Sequence, residues 1–208
     1  MYIPPAFKIE DYGKLAKFID ENSFAILITH AKGAPFATHI PLLLDRGSGA
    51  PGRLLGHIAR ANPQWRHFDN GTEVLAIFPG AHAYISPTIY AAKVAVPTWN
   101  YLAVHAYGVP KLIEDVAILE QILNRTIEKF EAGRPQPWQN NLPADYKNAM
   151  LNSIVGFEVP LTRIEGKFKL GQNRSKADLN GVYSALNESA SADDRRLAEI
   201  MKEENLIE

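Results

Sequence analysis

The residue types best suited to chemistry lie together in one stretch, residues 95–108, which otherwise has the pattern of a strand. The stretch carries an indole, an amide, a phenol and an imidazole, from Trp99, Asn100, Tyr101 and His105. Once buried, their polar edges need hydrogen-bond partners. Residue types alone leave two interpretations open: the side chains serve a ligand or a subunit contact, or they pack a core around one satisfied polar network.

A second candidate is an anion site at residues 56–65, where a predicted strand runs into a predicted helix. Asn62 and Pro63 are typical of a helix start, with asparagine as the cap and proline at the first helical position. The N–H groups and the dipole at a helix start favour an anion, and Arg60 can add a charge-assisted hydrogen bond. The segment therefore predicts a phosphate seat. It is equally consistent with Arg60 as a solvated surface charge and Asn62 as a simple cap.

The histidines do not form a metal-binding motif. They occupy positions 30, 39, 57, 67, 82 and 105, one per predicted element and without ligand spacing, so hydrogen-bonded or surface roles are favoured and no metal is predicted. The chain also lacks the dinucleotide, Walker A, HExxH and GxSxG signatures. His57, His105 and Tyr84 are candidate proton donors, although no local pairing marks any of them as an activated acid or base.

Hydrophobic periodicity and turn residues predict the elements that position these side chains. Helices are predicted near residues 12–19, from Asn62, between Asp115 and Gly133, and at 145–154, 176–186 and 192–206. Strands are predicted at 24–29, 36–44, 54–59, 73–78, 83–86, 98–113 and 156–164. Because strands and helices do not alternate one for one, a doubly wound parallel sheet is disfavoured. The order favours a mainly β fold with flanking helices (α+β), built on an antiparallel, closed or partly closed barrel.

Composition narrows the class of protein further. The 208 residues suffice for one large core, or for a domain with a helical appendage. The lack of cysteine excludes disulfides and thiolate chemistry and fits a reducing cytoplasm. A net charge of −1, from 22 basic and 23 acidic residues, weighs against a bulk DNA binder. No apolar run approaches the roughly 18 residues of a membrane span, so a cytoplasmic protein without a membrane partner is expected.

Several blocks, taken in order, resemble the PaiB family of FMN-binding negative transcriptional regulators; these blocks are His39–Pro41, Gly56–Trp65, Phe78–Pro87, Val96–Tyr101 with Val104–Gly108, and Ile164–Ser175. The resemblance spans nearly the whole chain. It implies an FMN-binding split β-barrel like that of pyridoxamine phosphate oxidases, flavin reductases and the haem-degrading HugZ proteins. The expected organisation is a barrel at residues 1–170 and a C-terminal helical extension at 171–208.

The same resemblance implies a homodimer in which FMN lies in a groove between two subunits. One subunit is expected to hold the phosphate and ring edge with Thr38, His39, Ile40, Pro41, His57, Ile58, Ala59, Arg60 and Asn62. The partner is expected to close the groove with Thr98, Trp99, Asn100, Tyr101, Lys167, Lys169, Gln172, Asn173 and Arg174. The chain departs from the family pattern at Ile89, where tryptophan is common, and at Gly171, where serine is common.

Three functions are consistent with this resemblance. The first is a repressor of transcription that senses flavin or redox state, with DNA as a partner, although residues 191–208 carry more acid than base and no basic recognition surface is evident. The second is an FMN-dependent oxidoreductase of the flavin reductase or pyridoxamine phosphate oxidase type, in which the cofactor carries the electrons. The third is a haem or tetrapyrrole binder like the HugZ proteins. Fold alone does not choose among them.

Overall fold

The computed structural model describes residues 1–47, 49 and 51–207. Its strands are β1 (Lys8–Ile9), β2 (Phe24–Ala31), β3 (Ala34–Pro41), β4 (Leu43–Asp45), β5 (Arg53–Ala59), β6 (Val74–Ile85), β7 (Thr98–Gly108), β8 (Lys111–Ile113) and β9 (Ile154–Lys169). Its α-helices are α1 (Tyr12–Glu21), α2 (Val116–Glu131), α3 (Ala144–Asn152), α4 (Lys176–Asn187) and α5 (Ala192–Glu203). Short 3₁₀ helices occupy Pro5–Phe7, Pro63–Asn70 and Pro87–Ile89.

The sheet confirms the predicted antiparallel fold with flanking helices. Seven strands follow the order β3-β2-β6-β7-β9-β5-β4, and β1 and β8 both pair with β9. The registers given for β1, β2, β3, β4, β5, β8 and β9 are all antiparallel. Among the described residues, no helix is long and apolar enough to cross a bilayer.

The chain divides into two compact units. The first unit contains residues 1–18, 78–105 and 165–208, and the second contains residues 19–77 and 106–164. In the first unit, Leu15 of α1 lies so close to Gly166 of β9 that a Cβ on the glycine would be 2.1 Å from the leucine side chain. In the same unit Phe18 contacts Phe168 with ring centroids 5.3 Å apart, and α4 packs on α5. The second unit has a separate core, in which Phe68 contacts Phe157 at 5.0 Å and Leu55 packs with Ile122.

Four predicted element boundaries were wrong. The strand predicted at 156–164 is β9, which extends from Ile154 to Lys169. Residues 73–78 and 83–86 belong to one strand, β6, which continues through Gly80. The Phe18 ring packs against this glycine, since a Cβ there would be 2.6 Å from the ring. Residues 36–44 form two strands, β3 and β4, which are separated at Leu42. Residues 98–113 form β7 and β8, and Pro110 between them cannot donate a ladder hydrogen bond.

Candidate functional site

The site predicted in the first unit begins at the end of β9, where two lysines share one face. Lys167 and Lys169 are two residues apart, so their side chains leave the same side of the strand, while Phe168 between them is buried. The chain then turns at Gly171, whose φ of 86° is in the left-handed region that favours glycine over serine. Gln172 closes this turn, since its side chain donates to the Phe168 carbonyl and accepts from the Leu170 N–H.

Lys169 is held at the start of β7 by neutral oxygens. Its ammonium donates to the Thr98 hydroxyl and, at 2.7 Å, to the Trp99 carbonyl. A lysine has three N–H donors, so one remains for a ligand. Burial, followed by the charges of Lys167 and Arg174, lowers the pKa of Lys169 below its usual range. The charges of both other cations therefore act on Lys169.

The other two cations are held by aromatic rings. Lys167 is only 7 % exposed; its ammonium donates to the Tyr2 carbonyl at 3.2 Å and lies 5.6 Å and 5.1 Å from the ring centroids of Tyr2 and Tyr101. The Arg174 guanidinium lies 4.4 Å from the centroid of the Tyr90 ring. Throughout the described part of the chain, neither of these cations nor Lys169 forms a salt bridge. Lys167 is buried without a salt bridge, and a buried cation normally needs a counter-charge; the carboxylate charge that acts on Arg174 is that of Asp178. This cation cluster (Lys167, Lys169 and Arg174) therefore has the donor set of an anion site.

The segment before β7 is fixed by α4. The buried carboxylate of Asp178 accepts the Ala92 N–H at 3.0 Å, and this bond is the main cause that lowers the pKa of Asp178. Gly181 lets the Ile89 carbonyl approach, since a Cβ there would be 2.4 Å from that oxygen. The departure from the family pattern at Ile89 thus lies at a backbone contact with α4, which positions the residues that lead into Thr98.

An aromatic surface lies beside the cation cluster on β7. Trp99 is 52 % exposed, with Tyr84 edge-on at 5.8 Å and His82 at 6.1 Å between ring centroids. Strand alternation puts Trp99 and Tyr101 on one face and buries Asn100 on the other. The structure therefore separates Asn100 from its two predicted site neighbours. Asn173 is exposed in the turn after β9.

The second unit contains the other half of the predicted site, around Asn62. The asparagine amide donates to the Thr38 hydroxyl at 3.0 Å and accepts the Gln64 N–H at 3.0 Å, so Asn62 is a cap. Gln64 is fully buried, and its amide nitrogen contacts three oxygens, including the Leu27 carbonyl at 2.9 Å. Its side-chain oxygen has no hydrogen-bond partner among the described residues. The predicted helix at this point is a 3₁₀ helix.

Arg60 is also engaged within the second unit. Its guanidinium donates to the carbonyls of Asn152 and Ile154 at 2.7 Å and 2.8 Å, and its own carbonyl accepts the Trp65 indole N–H at 3.0 Å. The Gln64 N–H is taken by the cap, and Pro63 has no N–H. The phosphate seat predicted here stays a prediction, with fewer open donors than the sequence pattern indicates.

The remaining predicted residues of the second unit do not share one surface. His57 and Ile58 project to opposite faces of β5, and Ile58 is buried while Ala59 is exposed. His39 is exposed on β3 beside Phe24, with ring centroids 6.3 Å apart, whereas Ile40 is buried and Pro41 ends the strand half-buried. Sequence reasoning missed Tyr2 and Tyr90, which hold the cations of the first unit. Tyr2 is 165 positions from Lys167, so no local pattern could have linked them.

Comparison with known proteins gives the family. A family model described as "Putative FMN-binding domain" matches residues 1–163. The chain belongs to this FMN-binding domain family. A relative from Bacillus subtilis strain 168, the "Protease synthase and sporulation protein PAI 2", is 37 % identical over 205 residues and covers 98 % of this chain and 97 % of its own. The PaiB-type resemblance is therefore confirmed. The match to the family model ends before Lys167, whereas the match to this relative extends over nearly the whole chain.

Solved structures give the fold. The flavocytochrome Anf3 of Azotobacter vinelandii has a TM-score of 0.63 at 15 % identity, covering 79 % of this chain and 70 % of its own. A protein of Mycobacterium smegmatis described as binding FAD and heme has a TM-score of 0.61 at 14 % identity, covering 79 % and 74 % of the two chains. At these identities the likeness shows the fold alone, and it confirms the predicted split barrel.

Proposed function

We propose that this protein binds FMN and that the cation cluster of the first unit holds the phosphate. The observation that carries the proposal is that the three cations form no salt bridge within the described residues, while the Asp178 carboxylate, whose charge acts on Arg174, is already bound by the Ala92 N–H. A phosphate monoester carries about −1.5 to −2 charges at neutral pH, whereas the oxidised flavin ring is uncharged. The phosphate is thus the part of FMN whose charge matches the cluster. Family membership supports the cofactor as FMN.

The side chains of this chain would then bind and orient the cofactor. Lys169 has one N–H left after its bonds to Thr98 and Trp99, and Arg174 has its guanidinium edge left after stacking on Tyr90. Both provide charge-assisted hydrogen bonds to phosphate oxygens. The exposed Trp99 offers an aromatic face to a flavin ring. FMN, when bound, supplies hydride and electron transfer chemistry, and the protein supplies position and electrostatics.

The proposal includes a homodimer. In the arrangement that the family resemblance implies, two subunits hold the same flavin, and the Thr38–Asn62 half-site holds both its phosphate and its ring edge. We propose instead that the cation cluster of the other subunit holds the phosphate and that the Thr38–Asn62 half-site holds the ring edge, because Arg60 is engaged by the carbonyls of Asn152 and Ile154. The exposed aromatic surface of Trp99, Tyr84 and His82 supports a subunit contact, because aromatic residues are enriched in interfaces. A stable interface of this kind buries about 1,200–2,000 Å² in total.

The biological role we propose is negative regulation of transcription, with flavin occupancy as the sensed state. The PaiB-type relative and the family resemblance support this role. Net charge supplies no general attraction to DNA, so binding must come from a local surface of the dimer. The test is a mobility assay on promoter fragments with and without FMN at two salt concentrations. A salt-sensitive, FMN-dependent complex supports the role, and its absence at both concentrations overturns it.

Cofactor binding is tested by titration of the purified full chain with FMN, followed by flavin fluorescence and by light scattering after size exclusion. We expect quenching that saturates at one FMN per chain on a species of twice the chain mass. Quenching without a dimer would overturn the shared site and keep the flavin proposal. A dimer that leaves FMN fluorescence unchanged would overturn the flavin proposal.

A further inference from the structure

A cavity of about 260 Å³ lies in the second unit between β5, α2 and α3. Its walls are mostly apolar and include Leu123 and Ile127 of α2 and Met150 of α3. The indole of Trp138 lines it from the segment between the two helices, and His57 of β5 lines it from the sheet. Concave, largely apolar sites with a few placed polar groups are the usual form of small-molecule sites.

A glycine of the sheet lets α2 approach closely beside this cavity. Gly156 of β9 is directly opposite His57, and Leu119 of α2 comes so close to it that a Cβ would be 2.8 Å from the leucine side chain. The helix is therefore seated on the sheet at Gly156, and the side chain of His57 lies next to this contact. Arg53 and Leu55 share the His57 face of β5, and they line a different cavity on α2.

His57 is a polar side chain of the cavity lining that is not used in hydrogen bonds within the described part of the protein. Its imidazole makes no hydrogen bond to any other described residue. Burial lowers its pKa, which keeps the ring neutral, with one nitrogen as donor and the other as acceptor. The other titratable groups that line the cavity are Glu120 of α2 and Lys147 of α3, and these form an ion pair with each other. The cavity thus presents a hydrogen-bonding group and no unpaired charge.

The outer wall is held in place by specific bonds. The backbone N–H of Trp138 donates to the Glu131 carboxylate at 2.8 Å, and the Asn140 side-chain amide donates to the Asn124 side chain at 3.3 Å. These two bonds fix the segment that carries the indole to α2. The wall is therefore part of the folded second unit, although Trp138 and Met150 remain 46 % and 44 % exposed at its mouth.

We propose that this cavity binds an uncharged aromatic molecule of one or two rings whose hydrogen-bonding group faces His57. The size supports a small ligand, because drug-sized ligands occupy about 300–1,000 Å³ and this cavity is smaller. The apolar walls and the methionine suit an aromatic ring, since thioether sulfur contacts ring edges favourably. The cavity is lined by none of the cation cluster, and His57 is the one residue of its lining that the flavin proposal also uses, in the Thr38–Asn62 half-site.

The test uses two probes, 4-fluorophenol and fluorobenzene, followed by fluorine NMR on the full chain. Both should bind saturably, with dissociation constants on the order of 1 mM, and 4-fluorophenol should bind more tightly. His57→Phe keeps an aromatic ring and removes the hydrogen bond. It should weaken 4-fluorophenol about threefold to tenfold and leave fluorobenzene within about twofold.

A matched pair of variants locates the site. Met150→Trp fills the cavity and should weaken both probes by at least about tenfold, whereas Tyr146→Trp, on the same helix but outside the cavity lining, should leave them within about twofold. Near-ultraviolet circular dichroism checks folding, and Leu142→Trp replaces Met150→Trp if that variant does not fold. The proposal is overturned by a lack of saturable binding or by equal effects of the cavity-filling variant and Tyr146→Trp.

Discussion

Two sets of basic side chains, Arg53 with Arg125 and the cation cluster, differ in the groups that surround their charges. Arg53 on β5 donates to Asp45 at 2.8 Å and to Glu158 at 2.7 Å, and Arg125 lies 3.4 Å from Asp45. Burial opposes ionisation of Asp45, yet its bond to Arg53 and the charge of Arg125 hold its pKa below the usual range. Lys169 instead contacts a hydroxyl and a carbonyl, and its nearest charges are like charges. The carboxylates of Asp45 and Glu158 therefore neutralise Arg53 and Arg125, whereas the cation cluster has no salt bridge within the described residues and its charge remains available to a ligand.

Of the substitutions in the two groups, Lys169→Met should have the largest effect, and this effect should be on FMN affinity. We expect FMN affinity to fall about tenfold to a hundredfold, because a hydrogen bond to a charged group contributes roughly 1.5–3 kcal/mol. The free energy of unfolding should change by less than about 1 kcal/mol, since the lysine has no ion pair to lose. Fluorescence titration and urea unfolding measure the two quantities.

The matched control is Lys129→Met. Lys129 also has its pKa lowered, first by burial, but it lies 3.8 Å from Asp20. This variant should leave FMN affinity unchanged. An equal loss of FMN affinity in both lysine variants would show that the cation cluster has no special role.

The substitution Arg53→Met should instead lower the free energy of unfolding and leave FMN affinity unchanged, and its effect should be smaller than that of Lys169→Met. Without the guanidinium, Asp45 loses its closest partner and Glu158 loses its salt bridge to Arg53. We expect a loss of about 1 kcal/mol in the free energy of unfolding, near the upper end for partly exposed pairs, and no change in FMN affinity. Glu158→Gln added to this variant should restore part of the stability. A large drop in FMN affinity with unchanged stability would contradict the structural role of Arg53.

The free energy of unfolding should also depend on pH, and this effect should be smaller than that of the substitutions above. Burial lowers the pKa of His57 below 6.5, so the unfolded chain binds a proton there at a pH where the folded chain does not. The free energy of unfolding should therefore decrease as the pH falls below about 6.5. His57→Phe should flatten part of this decrease; His105, whose pKa is also lowered chiefly by burial, accounts for a further part. Urea unfolding between neutral and mildly acidic pH tests this, and an unchanged slope in the variant would contradict it.

The sequence predicted elements with strong local signals and missed contacts made at a distance. Asn62 is the cap that its pattern indicates, and the helix predicted between Asp115 and Gly133 is α2, which ends at Glu131, just before Gly133 takes a φ of 82°. The break predicted between residues 78 and 83 was wrong, because Gly80 there accommodates the ring of Phe18, which is about sixty positions away in the chain. Such packing leaves no periodic trace near the glycine.

The candidate site was predictable only in part. Arg60 has the residue type of a phosphate ligand, yet its guanidinium is engaged by the carbonyls of Asn152, the last residue of α3, and Ile154, the first residue of β9. The lysines came from the family resemblance, and no sequence pattern indicated that they lack acidic partners. The boundary between barrel and helical extension at 170/171 stays a prediction.

The most direct test of the central claim compares FMN with riboflavin, which has the same ring but no phosphate. Dissociation constants are measured for the wild type and for Lys169→Met. If the cation cluster holds the phosphate, FMN should bind the wild type at least about tenfold more tightly than riboflavin, and the variant should lose most of that difference while its riboflavin affinity stays the same. A difference that persists in the variant, or an equal loss of both ligands, would contradict the account.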